Sequence, residues 1–255
     1  MLRFFPVLLS FIALPALADP AQFPTGLTWD WQLSEPFNLT LPVQVLDLDP
    51  VSLGGGDIAE LAARGILTIC YVSVGTIEDW RGDLTAFPQQ VIGAAYDGWP
   101  GERFLDIRQT DSLLPLMQAR FADCAAKGYN AVEPDNMDVY INASGFEISA
   151  ADTVAYVTAL AEIAHRLGLA IGQKNVPELT AQLEPVLDFV VTEGCLADGW
   201  CDQVSAYAAH GKAIFAAEYE VASGDQAAQC TVAAAAGMSL IFKQYDLDER
   251  GTFCP

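Results

Sequence analysis

The sequence predicts an α/β chain folded as one (β/α)8 (TIM) barrel stapled by disulfides, and three observations carry that prediction. A unit recurs in which an Ala/Leu-rich amphipathic stretch ends at a glycine and a short aliphatic run follows: AARGILTICYVSVG, AAKGYNAVEPDN, HRLGLAIGQKN, AAHGKAIFAAEYE and AAAAGMSLIFKQY. Each glycine suits the left-handed position that closes a helix, and each run suits a strand buried on both faces. The chain has 255 residues and no Ser/Gly linker or low-complexity tract, a length that fits eight β/α units in one domain. A doubly wound open sheet is the alternative, but no GxGxxG or Walker-type turn follows the first expected strand.

Three further strands fill the gaps between the five units: Val43–Asp49, Arg103–Arg108 and Val186–Glu193. Helices are expected over Asp57–Arg64, Asp111–Lys127, Asp152–Leu167, Pro177–Leu183, Trp200–His210 and Asp225–Ala236. Several of these open on an acidic cap or a proline in the first turn.

Residues 1–18 read as a cleaved leader: Arg3 near the start, an apolar run from Phe4 to Leu14, and Ala16-Leu17-Ala18 as the small-x-small cleavage pattern before Asp19. The domain is then 19–255, secreted or periplasmic. Export makes Cys70, Cys124, Cys195, Cys201, Cys230 and Cys254 disulfide candidates. Six cysteines allow 15 pairings. The preferred set is Cys195–Cys201 across a short loop and Cys230–Cys254 at the C-terminus, leaving Cys70–Cys124. None has metal-site CxxC spacing.

Twelve Lys and Arg stand against 33 Asp and Glu, a net charge of −21. Arg3 is the only charge in the leader, so the remainder carries −22. A hydrophobic content of 52% supplies a full core, which excludes an acidic disordered tail. The acidity argues against nucleic acid and against anionic membrane surfaces, and allows a neutral or cationic partner. Oligomeric state is not readable from the sequence.

A barrel of this kind works at the C-terminal ends of its strands. Those ends carry Asp47 and Asp49, Ser73, Asp106 and Arg108, Glu133, Asp135, Asn136 and Asp138, Lys174 and Asn175, Glu193, Glu218 and Glu220, and Lys243, Gln244 and Tyr245. So many ionisable strand ends point to a working rim, because burying charge without use is costly. Asp135 on the fourth strand and Glu193 on the sixth would face each other, the carboxylate pair that glycoside hydrolysis needs. Asp138 serves equally as a helix cap. The long segment Thr76–Glu102 adds Trp80 and Trp99, rings on which sugars stack; Trp99 is placed at the cleft, while Trp80 could as readily plug the loop.

Other chemistries fit less well. His165 and His210 both sit in helices, away from any Ser-His-Asp arrangement. An oxygen-ligand Mg or Ca site among Asp47, Asp49, Asp135, Asn136 and Asp138 lacks EF-hand spacing and is the minor reading. A Schiff base on Lys174 is disfavoured because an acidic rim keeps its amine charged. No metal or other cofactor is expected.

The stretches WDWQLSEP, VLDLD, ICYVSVGTIEDWRGD, WPGERFLDIR, GYNAVEPDNMD, GLAIGQKN, VTEGC and GKAIFAAEY run in order across residues 27–248. In that order they resemble glycoside hydrolase family 114, the endo-α-1,4-polygalactosaminidase-like (β/α)8 proteins. The resemblance implies a secreted endo-acting hydrolase of α-1,4-linked, cationic or partly N-acetylated galactosamine polysaccharide. It implies Asp135 as nucleophile or base and Glu193 as general acid/base. Asp47, Tyr71, Trp99, Asp106, Lys174, Glu218 and Tyr219 are expected to bind substrate. Where the family usually has Asn before the catalytic Glu, this chain has Thr192. Retention at the anomeric centre is expected from α-galactosidase-like barrels with the same strand placement. The alternative is a secreted carbohydrate-binding barrel without turnover, separable by whether reducing ends are released from amino-sugar polymers.

Overall fold

The strand–helix alternation curls almost completely around on itself. The computed structural model describes residues 19–219, 221 and 223–254; the expected leader, residues 1–18, and Glu220 lie outside them. In chain order the elements are β1 (Trp29–Gln32), β2 (Val45–Leu48), α1 (Gly55–Ala63), β3 (Leu67–Ser73), β4 (Thr76–Glu78), β5 (Ile92–Ala95), β6 (Glu102–Leu105), α2 (Thr110–Lys127) and β7 (Ala131–Asp135). They continue with α3 (Ala150–Arg166), β8 (Ala170–Lys174), α4 (Thr180–Leu183), β9 (Phe189–Glu193), α5 (Ser205–Ala209), β10 (Ile214–Tyr219), α6 (Ser223–Ala235), β11 (Met238–Lys243) and β12 (Gly251–Phe253).

Among the described residues, eight parallel strands follow one another as β1-β2-β3-β7-β8-β9-β10-β11, and β12 adds an antiparallel edge to β11. Across the seam between β1 and β11, side chains do the joining. Trp29 Nε1 donates to the Ser239 carbonyl at 2.8 Å, and Lys243 Nζ pairs with Asp30 Oδ1 at 3.0 Å, both groups fully buried.

Two expectations about strands are corrected. Arg103–Arg108 is not a barrel strand: β6 pairs antiparallel with β4 and β5 in a separate three-stranded sheet beside the barrel. The barrel begins instead at β1, whose four residues carry no aliphatic run. Trp29 and Trp31 fill the barrel interior, and the buried Asp30 is satisfied by Lys243 and by Gln32 Nε2 at 2.8 Å.

Strand alternation sorts the core into two layers. Trp29, Trp31, Val45, Ile69, Phe189, Val191, Phe215 and Ile241 fill the interior. Leu46, Leu48, Val72, Val132, Val190 and Leu240 face outward onto Ile58, Leu61, Met117, Phe121 and Leu160 of the helices. Gly172 leaves the room that the Phe189 ring uses: a Cβ there would come within 2.4 Å of it. All five glycines of the repeating unit (65, 128, 168, 211 and 237) have positive φ, as the helix-closing role requires. Ser149 and Asp152 open α3 reciprocally, the Ser149 hydroxyl accepting from Asp152 N at 3.2 Å and Asp152 Oδ2 from Ser149 N at 2.8 Å.

The bonds Cys70–Cys124, Cys195–Cys201 and Cys230–Cys254 are the preferred set. They tie β3 to α2, close the loop after β9, and hold the chain end against α6. No helix among the described residues is long and apolar enough to cross a membrane.

Candidate active site

Three neighbouring strands end in a sharp turn at the barrel mouth. Asn136 follows β7 at φ 62°, Asn175 follows β8 at φ 49°, and Gly194 follows β9 at φ 64°. Asn and Gly tolerate this left-handed backbone, so each strand can stop just after its charged residue. The residues so presented are Asp135, Lys174 and Glu193.

Lys174 is the hub, with its side chain 2% exposed. Its Nζ lies 2.7 Å from Glu133 Oε1, 3.0 Å from Asp135 Oδ1 and 3.2 Å from Glu193 Oε2, and 4.4 Å from the centre of the Trp31 ring. Burial alone would discharge the amine. The carboxylates of Asp135, Glu133 and Glu193 outweigh that and hold its pKa well above the usual lysine value, so it stays an ammonium.

Asp135 experiences the reciprocal field. Burial pushes its pKa up, but the Lys174 charge and the hydrogen bond from Tyr71 bring it below the ordinary carboxylate value. Tyr71 donates to Oδ2 at 2.8 Å, and Asn136 Nδ2 reaches the same oxygen at 3.3 Å while also bonding Ser73 Oγ and Thr76 Oγ1. Asp135 is therefore a fixed, ionised carboxylate whose side chain keeps 19% of its surface open.

Glu193 is held from both sides. Tyr219 donates to Oε1 at 2.6 Å, and Asn175 Nδ2 donates to Oε2 at 3.0 Å while its own Oδ1 accepts from Glu193 N. Tyr219 in turn stacks on Tyr245, with ring centres 4.4 Å apart.

Below the mouth, Glu133 accepts from Trp31 Nε1 at 3.1 Å. Asp47 lies deeper still, fully buried, and no donor reaches either of its oxygens. Burial first, and then the Glu133 charge, push the Asp47 pKa well up, while burial raises Glu133 against the pull of Lys174. Both shifts favour a proton held by this carboxyl pair, with Asp47 the more strongly raised of the two.

Above the cluster opens a cleft of about 380 Å³, lined by Trp31, Tyr71, Trp99, Asp135, Lys174 and Glu193 and walled on one side by Trp80, Tyr96 and Glu102. Trp80 and Trp99 are each about half exposed there. A neighbouring cavity of about 310 Å³ lies between α2 and β3. Its cations are already paired within the wall: Arg81 with Asp49 and Glu78, Arg120 with Asp83, and Lys127 with Asp123.

Of the nine residues expected at the site, Asp135, Glu193, Tyr71, Trp99 and Lys174 line the cleft. The other four do not. Asp47 is sealed beneath it. Tyr219 acts on Glu193 from behind. Asp106 belongs to the side sheet's exit, where Arg108 Nε binds it at 2.7 Å and Gln109 Nε2 at 3.3 Å. Glu218 sits on the outward face of β10, between the inward Ala217 and Tyr219, and accepts from Leu196 N at 2.7 Å and Ala197 N at 3.3 Å.

Trp31 and Glu102, which are not among the nine, line the cleft as well. Trp31 carries a signal in hindsight, the alternation of Trp29 and Trp31 on one strand face. His165 and His210 pair with Asp188 and Glu184, away from the cleft. Among the described residues no group of three or more His, Cys, Asp or Glu is arranged to hold a metal ion.

The fold has close parallels. The structure of Aspergillus fumigatus Ega3 in complex with galactosamine superposes with a TM-score of 0.87 at 28% identity, covering 92% of this chain and 97% of that one. The glycoside hydrolase domain of PelA from Pseudomonas aeruginosa shares the fold at a TM-score of 0.68 and 17% identity, covering 90% and 98%. No curated protein sequence matches the chain. The sequence itself matches glycoside-hydrolase family GH114 over residues 13–255. With that match spanning the barrel and its acidic cleft, the chain belongs to glycoside-hydrolase family GH114 and is a glycoside hydrolase.

Proposed function

We propose that the protein is an exported endo-hydrolase of α-1,4-linked galactosamine polysaccharide that retains anomeric configuration, with Asp135 as nucleophile and Glu193 as general acid/base. The observation that carries this reading is the shared ammonium. Because Asp135 Oδ1 and Glu193 Oε2 touch the same Nζ at 3.0 and 3.2 Å, those two oxygens lie at most about 6 Å apart. An ammonium shared by the two acids is compatible with the close carboxyl spacing of retaining enzymes, roughly 5–5.5 Å.

In this mechanism the ionised Asp135 attacks the anomeric carbon while Glu193, which must take up a proton before the step, gives it to the departing glycosidic oxygen. Glu193 then takes a proton from water, which attacks the same carbon and frees Asp135. Lys174, Tyr71 and Asn136 keep Asp135 charged and aimed. Trp99 offers a stacking face to the chain of sugars. The substrate assignment rests on the family, on the galactosamine bound to the Aspergillus protein, and on a cleft rich in carboxyls that suits an amino sugar. Export of residues 19–255 rests on the leader pattern and on three disulfides, which persist in oxidising compartments.

The test uses protein collected outside the cell, its intact mass reporting whether it starts at Asp19. Reducing ends and the first-formed anomer are followed on α-1,4-galactosamine oligomers. Wild type is expected to release the α-anomer first, and Asp135→Asn and Glu193→Gln to lose about a thousandfold or more in kcat. Full activity in either variant refutes its assigned role, and first release of the β-anomer refutes retention.

A further inference from the structure

The side sheet brings to the cleft a carboxyl that the two-acid mechanism leaves idle. Glu102, the first residue of β6, is 6% exposed and lines the cleft with Trp80, Tyr96, Trp99, Asp135 and Glu193. Its cross-strand partner on β4 is Glu78, so the two side chains share one face of the sheet.

Their surroundings differ. Glu78 receives Arg81 Nε at 2.5 Å and Nη2 at 2.9 Å, and the same guanidinium binds both oxygens of Asp49 at 2.9 and 2.8 Å. Arg81 is thereby fully committed. Lys174, which lines the cleft itself, is committed to Glu133, Asp135 and Glu193. Among the described residues, no hydrogen bond or ion pair reaches the Glu102 carboxyl. A nearly buried acid without a partner at a binding cleft is either a liability or an acceptor awaiting its donor.

We infer that Glu102 is the ammonium-binding residue of this cleft: it takes the free 2-amino group of a galactosamine unit lying along the Trp80–Trp99 wall, and so selects unacetylated sugar. This rests on the galactosamine reading above. The charge state of the empty site fits. Burial, then Glu78 on β4 and Asp135 on β7, push the Glu102 pKa up to about 8 against the pull of Arg81, so the resting acid is protonated at neutral pH. The remaining acids of the cleft are Asp49, which Arg81 holds, and Asp138, Glu193 and Asp246, and none of them supplies a positive charge to Glu102. When an ammonium arrives, Glu102 forms the charge-assisted pair and its proton passes to the buffer. An N-acetyl group carries no charge and triggers no such release.

Calorimetric titration of the intact protein with galactosamine and with N-acetylgalactosamine, in two buffers of different ionisation enthalpy, reads this directly. At about pH 6 an amine of pKa near 8 is already charged, so any net proton released comes from the protein. Nearly one proton per galactosamine is expected from wild type, and almost none with N-acetylgalactosamine or from Glu102→Gln. On oligomers, the ratio of kcat/KM for free-amine over N-acetylated substrate is expected to fall about 10- to 100-fold in the variant. Glu102→Ala serves if the Gln variant does not fold.

Failure of wild type to bind galactosamine, equal proton release by both sugars, or an unchanged ratio in the variant each overturns the inference. Wild type that cleaves no galactosamine oligomer refutes the substrate reading instead, and the titration still decides Glu102.

Discussion

Asp47 is sealed beneath the cleft, yet it bears on how much charge the cluster above it carries. Its pKa is raised in the folded state, so stability is lost as pH climbs from the unfolded value near 4 towards the folded one, because only the unfolded chain gives up the proton. Asn in its place can still donate to Glu133 and never ionises. Asp47→Asn should therefore gain on wild type by up to about 1.4 kcal/mol per pH unit between pH 4 and neutrality. Urea midpoints at the two ends of that range measure it, and a difference independent of pH would contradict a protonated Asp47. At this scale the sequence located the residues whose place follows from a strand end: Asp135, Lys174 and Glu193 do line the cleft. It misled where side-chain direction decides. Glu218 sits at a strand end as well, but strand parity turns it outward onto the Leu196 and Ala197 amides. Glu102 gave no such signal, because its place at the cleft depends on a sheet that local pattern did not reveal.

The junction between β3 and β4 shows how an element boundary can govern a site. Gly75 lies where the chain leaves the barrel for the side sheet, and its amide bonds the Asp135 carbonyl at 3.3 Å. A Cβ there would fall 1.8 Å from the Asn136 carbonyl oxygen and 2.5 Å from a methyl of Val139. Gly75→Ala must therefore push the end of β7, and the Asp135 carboxylate with it. A loss of about 1–3 kcal/mol in denaturant stability is expected, together with reduced kcat; an unchanged midpoint would mean the turn yields freely. Element-level reading recovered seven of the eight parallel strands, all six helix locations and the disulfide set. Its two strand errors cancelled in the count. Trp29–Gln32 is too short and too polar to register as an aliphatic strand, and Arg103–Arg108 took its number in the tally. Asp135 therefore stayed on the fourth barrel strand and Glu193 on the sixth.

Across the whole molecule the charge of −21 gains a location. Asp49, Glu78, Glu102, Asp135, Asp138, Glu193 and Asp246 all line one cleft, and Lys174, the lysine that lines it with them, is already engaged. Such a field gathers a polycation, and salt weakens it over a Debye length of about 8 Å at physiological ionic strength. Apparent KM on free-amine galactosamine polymer should rise with ionic strength, while a fully N-acetylated polymer shows little change. An equal response would reduce the acidity to a solubility feature. The seam between β1 and β11 bears on a different matter, the order in which the chain is made. Trp29 meets Ser239 and Asp30 meets Lys243 across 210 and 213 positions of sequence. The first barrel strand to leave the ribosome must therefore wait for the last before it is latched. Until then its unpaired side is an open edge, free to find a partner in another chain, and the vulnerable interval lasts as long as nearly the whole of translation.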